Sequence, residues 1–184
     1  MPDAKICGIT TVEALDAAIE GGARFVGFVT YPKSPRFLSM DKLAALAARA
    51  RGRVETVLVT VNADDGHLAA ANVAAQPDWI QLHGSENTKR AAEVRPFARR
   101  GLIKAVGIAK HEDFATLPPY YPIVDFFLFD AQVPKGGLPG GNALPFDQRP
   151  MQSRAHAVTL DPSPAKTGAS LPVSSIISSP SVLP

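Results

Sequence analysis

The sequence has 184 residues, a formal net charge of +2, 46% hydrophobic residues and 20% charged residues. This length suits one domain of roughly 100–200 residues, and the small charge gives no support for a nucleic-acid partner. No apolar run reaches the roughly 20 residues that a membrane span needs, and the N-terminus lacks the apolar core of a secretory signal. A single cysteine excludes an internal disulfide, so the sequence predicts a reducing, cytoplasmic location.

From Met1 to about Asp147, short apolar runs alternate with segments of helical spacing. The apolar runs predict six strands, at Ala4–Ile9, Phe25–Val29, Thr56–Val61, Trp79–Leu82, Leu102–Val106 and Phe126–Phe129. The intervening segments predict helices at Glu13–Glu20, Asp41–Ala50, Leu68–Ala75 and Glu86–Val94. Gly21 and Gly22 are expected to end the first helix, and Ser39 is expected to cap the second.

This alternation of strands and helices predicts an α/β fold with a parallel sheet, because a crossover helix returns the chain to the same end of the sheet. Strands covered on both faces are continuously apolar, as most of these runs are. Two architectures remain open from the pattern alone. They are an open doubly wound sheet and an incomplete closed barrel.

The alternation stops after Asp147. Residues 148–184 are rich in proline and serine, and proline blocks helix interiors. The apolar clusters Ala155–Leu160 and Val173–Ile177 are too short and isolated to build a seventh and an eighth β/α unit. The sequence therefore predicts a barrel portion at 1–147 and a mostly disordered tail at 148–184.

Two candidate site residues lie early in the chain. Cys7 ends the first predicted strand, at the end of the sheet where active sites of α/β proteins lie. A thiol there suits a base or nucleophile, although a lone free cysteine is more often a small buried hydrophobe. Arg36 follows the second strand in a loop stiffened by two prolines, where a guanidinium suits bidentate capture of a carboxylate. A solvated surface arginine is the commoner alternative.

Further candidates follow the fourth and sixth strands. Asp130 ends an apolar run whose surroundings would favour a protonated carboxyl, as a general acid requires, and its alternative is a loop-initiating aspartate. His83, just after Gln81, is placed to donate to a substrate oxygen or to orient a loop. The glycine-rich stretch at 136–141 favours a mobile loop over a phosphate site, because no helix start follows it.

Together these segments resemble the phosphoribosylanthranilate isomerase family in residue order and spacing. The matching blocks are Lys5–Thr10, Gly27–Arg36, Val61-Asn62, Gln81–Gly84, Lys104-Ala105, Phe129-Asp130 and Phe146-Asp147. The resemblance implies a (β/α)8 TIM barrel, here truncated to about six β/α units with a Pro/Ser-rich C-terminal tail. It does not indicate an oligomeric state.

The resemblance also implies an activity, the Amadori rearrangement of N-(5'-phosphoribosyl)anthranilate in tryptophan biosynthesis. Cys7 matches the general base, Asp130 the general acid and Arg36 the group that holds the anthranilate carboxylate. Gln81 and His83 match further substrate-binding positions. No metal or organic cofactor is implied, because the anthranilate nitrogen supplies the electrons. The expected partner is this small-molecule substrate, with no nucleic acid and no membrane.

After Asp147 the sequence departs from the family. The family binds the substrate phosphate with glycine-rich loops after strands seven and eight, and neither loop is recognised in residues 148–184. Gln148 stands where tryptophan is usual, and Ala143 where glycine is common. The abrupt loss predicts a frameshift or a misjoined reading frame, in which case another reading frame of the coding DNA encodes both loops. A genuine evolved tail is the alternative.

Six strands cannot close an eight-stranded barrel, so the chain is expected to be poorly folded, aggregation-prone or dependent on a partner, with apolar interior facing water. Negligible turnover is expected too, because an unanchored phosphate loses the positioning that catalysis needs. Two alternatives to an isomerase are a catalytically dead remnant that binds sugar phosphates or a protein, and an indole-glycerol-phosphate synthase. The block around Cys7 argues against the synthase, which relies on lysine and glutamate chemistry.

Overall fold

A computed structural model of the chain describes residues 3–131, 158–160 and 173–175. Its strands and α-helices follow one another as β1 Lys5–Cys7, α1 Val12–Glu20, β2 Phe25–Val29, α2 Met40–Ala50, β3 Glu55–Thr60, α3 Asp65–Ala75, β4 Trp79–Leu82, α4 Thr88–Val94, β5 Gly101–Ile108, β6 Phe126–Ala131, β7 Val158–Leu160 and β8 Val173–Ser175. Short 3₁₀ turns at Arg95–Phe97, His111–Thr116 and Pro118–Tyr120 complete the described elements.

The main sheet has six parallel strands in the order β1-β2-β3-β4-β5-β6, so each strand pairs with the next one in sequence. A doubly wound sheet would reverse its strand order at a switch point, and this sheet does not. The sheet curls as part of a barrel, which confirms the α/β barrel prediction. Strands β7 and β8 form a separate antiparallel pair, and the predicted boundary at Asp147 lies outside the described residues.

Side chains that alternate along the strands form two apolar layers. Val26, Phe28, Leu58 and Ile80 face the helices and pack with helical residues such as Leu43 in an outer core. The intervening residues point the opposite way and build an inner core from strand residues and Tyr31. Its buried members are Phe25, Val29, Val57, Val59, Trp79, Ile103, Ala105 and Leu128.

The inner core is covered more completely than the sequence predicted. Phe25 is 2% exposed and Trp79 is 7% exposed, so the expectation that this interior faces water is wrong for these residues. Curling of the sheet brings rings from separate strands together, with 5.0 Å between the centroids of Trp79 and Phe126. The rings of Phe25 and Trp79 lie 6.3 Å apart in an edge-on arrangement. These aromatic contacts fill the concave side of the sheet.

Most helix ends follow the predicted signals. The Ser39 side chain accepts a hydrogen bond from the Lys42 amide at the start of α2, and α1 ends at Gly21 with Gly22 at φ +76°. Two helix starts differ from the prediction. The third helix begins at Asp65 and not at Leu68, and the fourth begins at Thr88 behind the cap Asn87 and not at Glu86. None of the helices in the described ranges has the length and apolarity that a bilayer crossing demands.

The six-stranded sheet ends at β1 on one side and at β6 on the other. Strand edges present backbone donors and acceptors to other chains, so we expect the protein to associate as its concentration rises. Sedimentation velocity over a hundredfold range of concentration would reveal a mass-average that increases. A single species of monomer mass throughout that range would contradict this expectation.

Candidate active site

The five predicted site residues lie at one end of the sheet, because the carboxyl ends of parallel strands share one rim. Cys7 is the last residue of β1, and Arg36 lies in the loop after β2. Gln81 lies in β4 with His83 just beyond it, and Asp130 lies near the end of β6. The fold matches the predicted placement of Cys7 and Asp130 at strand ends and of Arg36 and His83 after their strands.

Arg36 lies across the end of β1. Its Nη1 donates to the backbone oxygen of Cys7 at 3.4 Å. Gly8 has φ +83°, and a side chain there would collide with the Arg36 Cδ. The amides of Gly8 and Ile9 both donate to the Gly27 oxygen, at 2.9 and 3.1 Å, which fixes the turn that follows Cys7. The glycine at position 8 thus provides both the backbone conformation and the space that bring the guanidinium beside Cys7.

Gln81, His83 and Asp130 form a chain of contacts across the rim. Gln81 Nε2 lies 2.5 Å from His83 Nδ1, and His83 Nε2 lies 3.9 Å from Asp130 Oδ2. Gln81 is fully buried, and its Oε1 has no hydrogen-bond partner within the described part of the chain. The buried side chain of Gln81 is therefore connected to the candidate site by its contact with His83.

The imidazole of His83 is neutral at neutral pH. Burial is the main cause, and the positive charges of Lys5, Lys104 and Arg36 add to it against the charge of Glu86, so that its pKa falls to about 4. The 3.9 Å approach of His83 to Asp130 is thus a contact between a neutral ring and a carboxyl group.

A buried ion pair that the sequence did not predict supports the loop carrying His83. The Glu86 carboxylate accepts from the Asn62 amide at 2.7 Å, from the Gly84 amide at 3.0 Å and from Lys104 Nζ at 3.1 Å. Lys104 also donates to the Gly84 oxygen at 2.7 Å. Burial lowers the pKa of Lys104, and Glu86 opposes that shift. A lysine inside the apolar run Leu102–Val106 was the available sequence signal.

Lys5 is a second residue that the sequence analysis did not single out. It is 1% exposed, although it lies in β1 only two residues before Cys7. Residues two apart in a strand share a face, so a lysine at this spacing from a candidate base was a readable signal. The structure therefore places a buried cation beside the predicted base.

Two predicted features cannot be located at this rim. The glycine-rich stretch at 136–141 lies outside the described residues, as do the parts of the tail where family phosphate loops would be sought. Over residues 3–131, 158–160 and 173–175, no group of three or more His, Cys, Asp or Glu side chains is arranged to hold a metal ion.

Comparison with known proteins identifies the family to which this rim belongs. The sequence profile described as "N-(5'phosphoribosyl)anthranilate (PRA) isomerase" matches residues 4–181. The chain belongs to the phosphoribosylanthranilate isomerase family. The N-(5'-phosphoribosyl)anthranilate isomerase of Rhizobium meliloti (strain 1021) is 45% identical over 148 residues, which are 80% of this chain and 69% of that protein. The resemblance inferred from the motifs is thereby confirmed.

Solved isomerases share the fold as well. The phosphoribosyl anthranilate isomerase of Thermotoga maritima superposes with a TM-score of 0.67 at 32% identity, covering 76% of this chain and 66% of that one. A phosphoribosyl anthranilate isomerase in complex with reduced 1-(o-carboxyphenylamino)-1-deoxyribulose 5-phosphate superposes with a TM-score of 0.61 at 26% identity, covering 72% and 77%. The chain spans between 62% and 69% of the length of the curated isomerases it matches.

The neutral His83 has a consequence for stability. Its pKa is lowered from 6.5 to about 4 in the folded protein, so below pH 6.5 the unfolded chain binds a proton that the folded chain does not. Stability therefore falls as the pH falls through this window. Between pH 7 and pH 5 we expect the wild type to lose about 2 kcal/mol more unfolding free energy than His83→Gln does. Urea unfolding of both proteins at several pH values measures the difference, and parallel curves would refute it.

Proposed function

We propose that the rim of this isomerase-family chain is an acid–base site for the Amadori rearrangement of N-(5'-phosphoribosyl)anthranilate. The observation that carries the proposal is the convergence of Cys7, Arg36, His83 and Asp130 on one end of the parallel sheet. These residues supply a thiol, a carboxyl group, a guanidinium and a neutral imidazole. Such a set can bind an aromatic amine that carries a carboxylate and is linked to a sugar, and can move protons on that sugar. The chain's membership in the isomerase family supports the same reaction.

In the first step, the anthranilate nitrogen pushes its lone pair toward C1' and the bond from C1' to the ring oxygen breaks. Asp130 donates its proton to that leaving oxygen, which gives an open-chain Schiff base. His83 supports this role as a neutral ring 3.9 Å from Asp130 Oδ2, because it brings no positive charge that would favour the ionised carboxylate. Gln81 holds the imidazole in this orientation from its buried side, at 2.5 Å from Nδ1.

In the second step, the Cys7 thiolate takes the proton from C2'. The electrons of that C–H bond form an enolamine, which becomes the ketone 1-(2-carboxyphenylamino)-1-deoxyribulose 5-phosphate. The step needs a deprotonated thiol and a protonated carboxyl group in one pocket, and sites on different strands allow two such different environments. The substrate supplies all the electrons, so the proposal includes no metal or organic cofactor.

Arg36 holds the anthranilate carboxylate in this scheme, with its guanidinium anchored on the Cys7 backbone oxygen at 3.4 Å. That anchor fixes the aromatic end of the substrate next to the base. We propose no phosphate-binding group among the residues that the structure describes. The reaction uses a soluble sugar phosphate, and with the single cysteine of the chain we propose that it takes place in the cytoplasm.

A second candidate is a remnant that binds sugar phosphates or a protein without turnover. The observation in its favour is the departure from the family after Asp147, together with an aligned length of 69% or less of the curated isomerases that it matches. Such a chain would keep the acid, the base and the arginine that binds the carboxylate, but it would hold the phosphate weakly. It would therefore bind the substrate poorly and turn it over slowly.

The test is residual turnover at high enzyme concentration, followed by the loss of substrate fluorescence. We expect turnover far below that of the Rhizobium meliloti relative, and we expect Cys7→Ser and Asp130→Asn each to lower it by at least about 100-fold. Asp41→Asn, in an exposed position of α2, is the matched control and should keep the wild-type rate.

Two outcomes would count against the isomerase. Residual turnover that survives both substitutions would remove Cys7 and Asp130 from the mechanism. Calorimetric binding of the reduced product analogue without any turnover would favour the remnant instead. Binding that is weakened in Arg36→Met would still place the carboxylate at Arg36 in that case.

A further inference from the structure

The side chain of Lys5 has no carboxylate partner among the described residues. Lys5 is 1% exposed, yet none of the ion pairs between described residues includes it. Lys104, the other buried lysine, is 3.1 Å from the Glu86 carboxylate. An anion close to the Lys5 ammonium group would therefore stabilise it.

Gly27 in the neighbouring strand shows which group is close to Lys5. Cys7 and Gly27 are paired across β1 and β2. A methyl group built on Gly27 would lie 2.8 Å from Cys7 Sγ and 3.2 Å from Lys5 Nζ. Both atoms therefore border the same small space, which the absence of a side chain at Gly27 leaves open. The Cys7 sulfur is therefore a group beside Lys5 that can become an anion.

The other charged groups of the rim do not substitute for Lys5 in this role. Lys104 is already paired with Glu86, and His83 is neutral at neutral pH. Arg36 contacts the Cys7 backbone oxygen and carries the substrate carboxylate in the proposed mechanism. Asp130 lies 3.9 Å from His83 and is the proton donor in the proposed mechanism. A thiolate is favoured beside a lysine, and Lys5 supplies that environment from within the same strand.

We propose that Lys5 is the counter-ion of the Cys7 thiolate, a positioning residue that keeps the base deprotonated for proton abstraction. The inference rests on the proposed function of Cys7 as the base. It also explains why the lysine is buried two residues from Cys7 on the same strand face, and why the paired position in β2 is a glycine.

The test uses the fact that Cys7 is the only cysteine in the chain, so that alkylation by iodoacetamide reports on it alone. At pH 7 we expect the folded Lys5→Met protein to react about tenfold more slowly than the wild type, because the thiolate loses a neighbouring positive charge. Lys5→Arg should stay within about threefold of the wild type, since it keeps the charge. Lys89→Met, exposed in α4, is the matched control and should react like the wild type.

The rate at which iodoacetamide alkylates Cys7 in urea serves as the reference for an unfolded chain. Equal rates in folded Lys5→Met and wild type would overturn the proposal. If Lys5→Met fails to fold, the ultraviolet absorbance of the wild-type thiolate decides instead. A band at pH 7 that is absent from Cys7→Ser supports the proposal, and a wild type without that band overturns it.

Alkylation does not require turnover, so the two proposals fail separately. A tenfold loss of alkylation rate in a chain without isomerase activity would leave the role of Lys5 standing and sink the proposed function. Isomerase activity that depends on Cys7, together with an unchanged alkylation rate in Lys5→Met, would support the proposed function and contradict the role of Lys5.

Discussion

The parallel pairing of consecutive strands is the constraint on which the rest of the structure depends. Each of β1 to β6 pairs with the next, so side chains from distant parts of the sequence arrive at one rim. Cys7 stands opposite Gly27 and Asp130 opposite Gly107 in this register. Curling of the same sheet brings Trp79 against Phe126 on the inner side. The fold and the candidate site therefore have a common origin.

Charge is distributed unevenly around this rim, and the chemistry follows from that distribution. Burial keeps the imidazole of His83 neutral, with the charges of Lys5, Lys104 and Arg36 as smaller contributions. Glu86 pairs with Lys104 from the loop after β4. An environment rich in buried cations suits a thiolate base and a substrate that carries a carboxylate. A neutral ring beside Asp130 leaves that carboxyl group as the proton donor in the proposed ring opening.

Local signals in the sequence predicted the strands and helices. Interactions between residues that are distant in the sequence could not be predicted from it. Ser39 caps its helix as expected, because capping depends only on neighbouring residues. Glu86 was assigned to a helix, since its partner Lys104 lies 18 positions away and the contact exists only in the folded chain. Cys7 and Asp130 were found through their strand ends. The role of Lys5 required the packing around Gly27, which no spacing shows.

The proposed site exists only if the six-stranded sheet forms in solution and holds the rim together. Amide hydrogen exchange followed by mass spectrometry tests this requirement most directly. We expect peptides covering β2 to β5 to be strongly protected, and those from the end strands β1 and β6 to exchange faster. Exchange at the rate of an unfolded chain in all six strands would contradict the account, because no preassembled site would then exist.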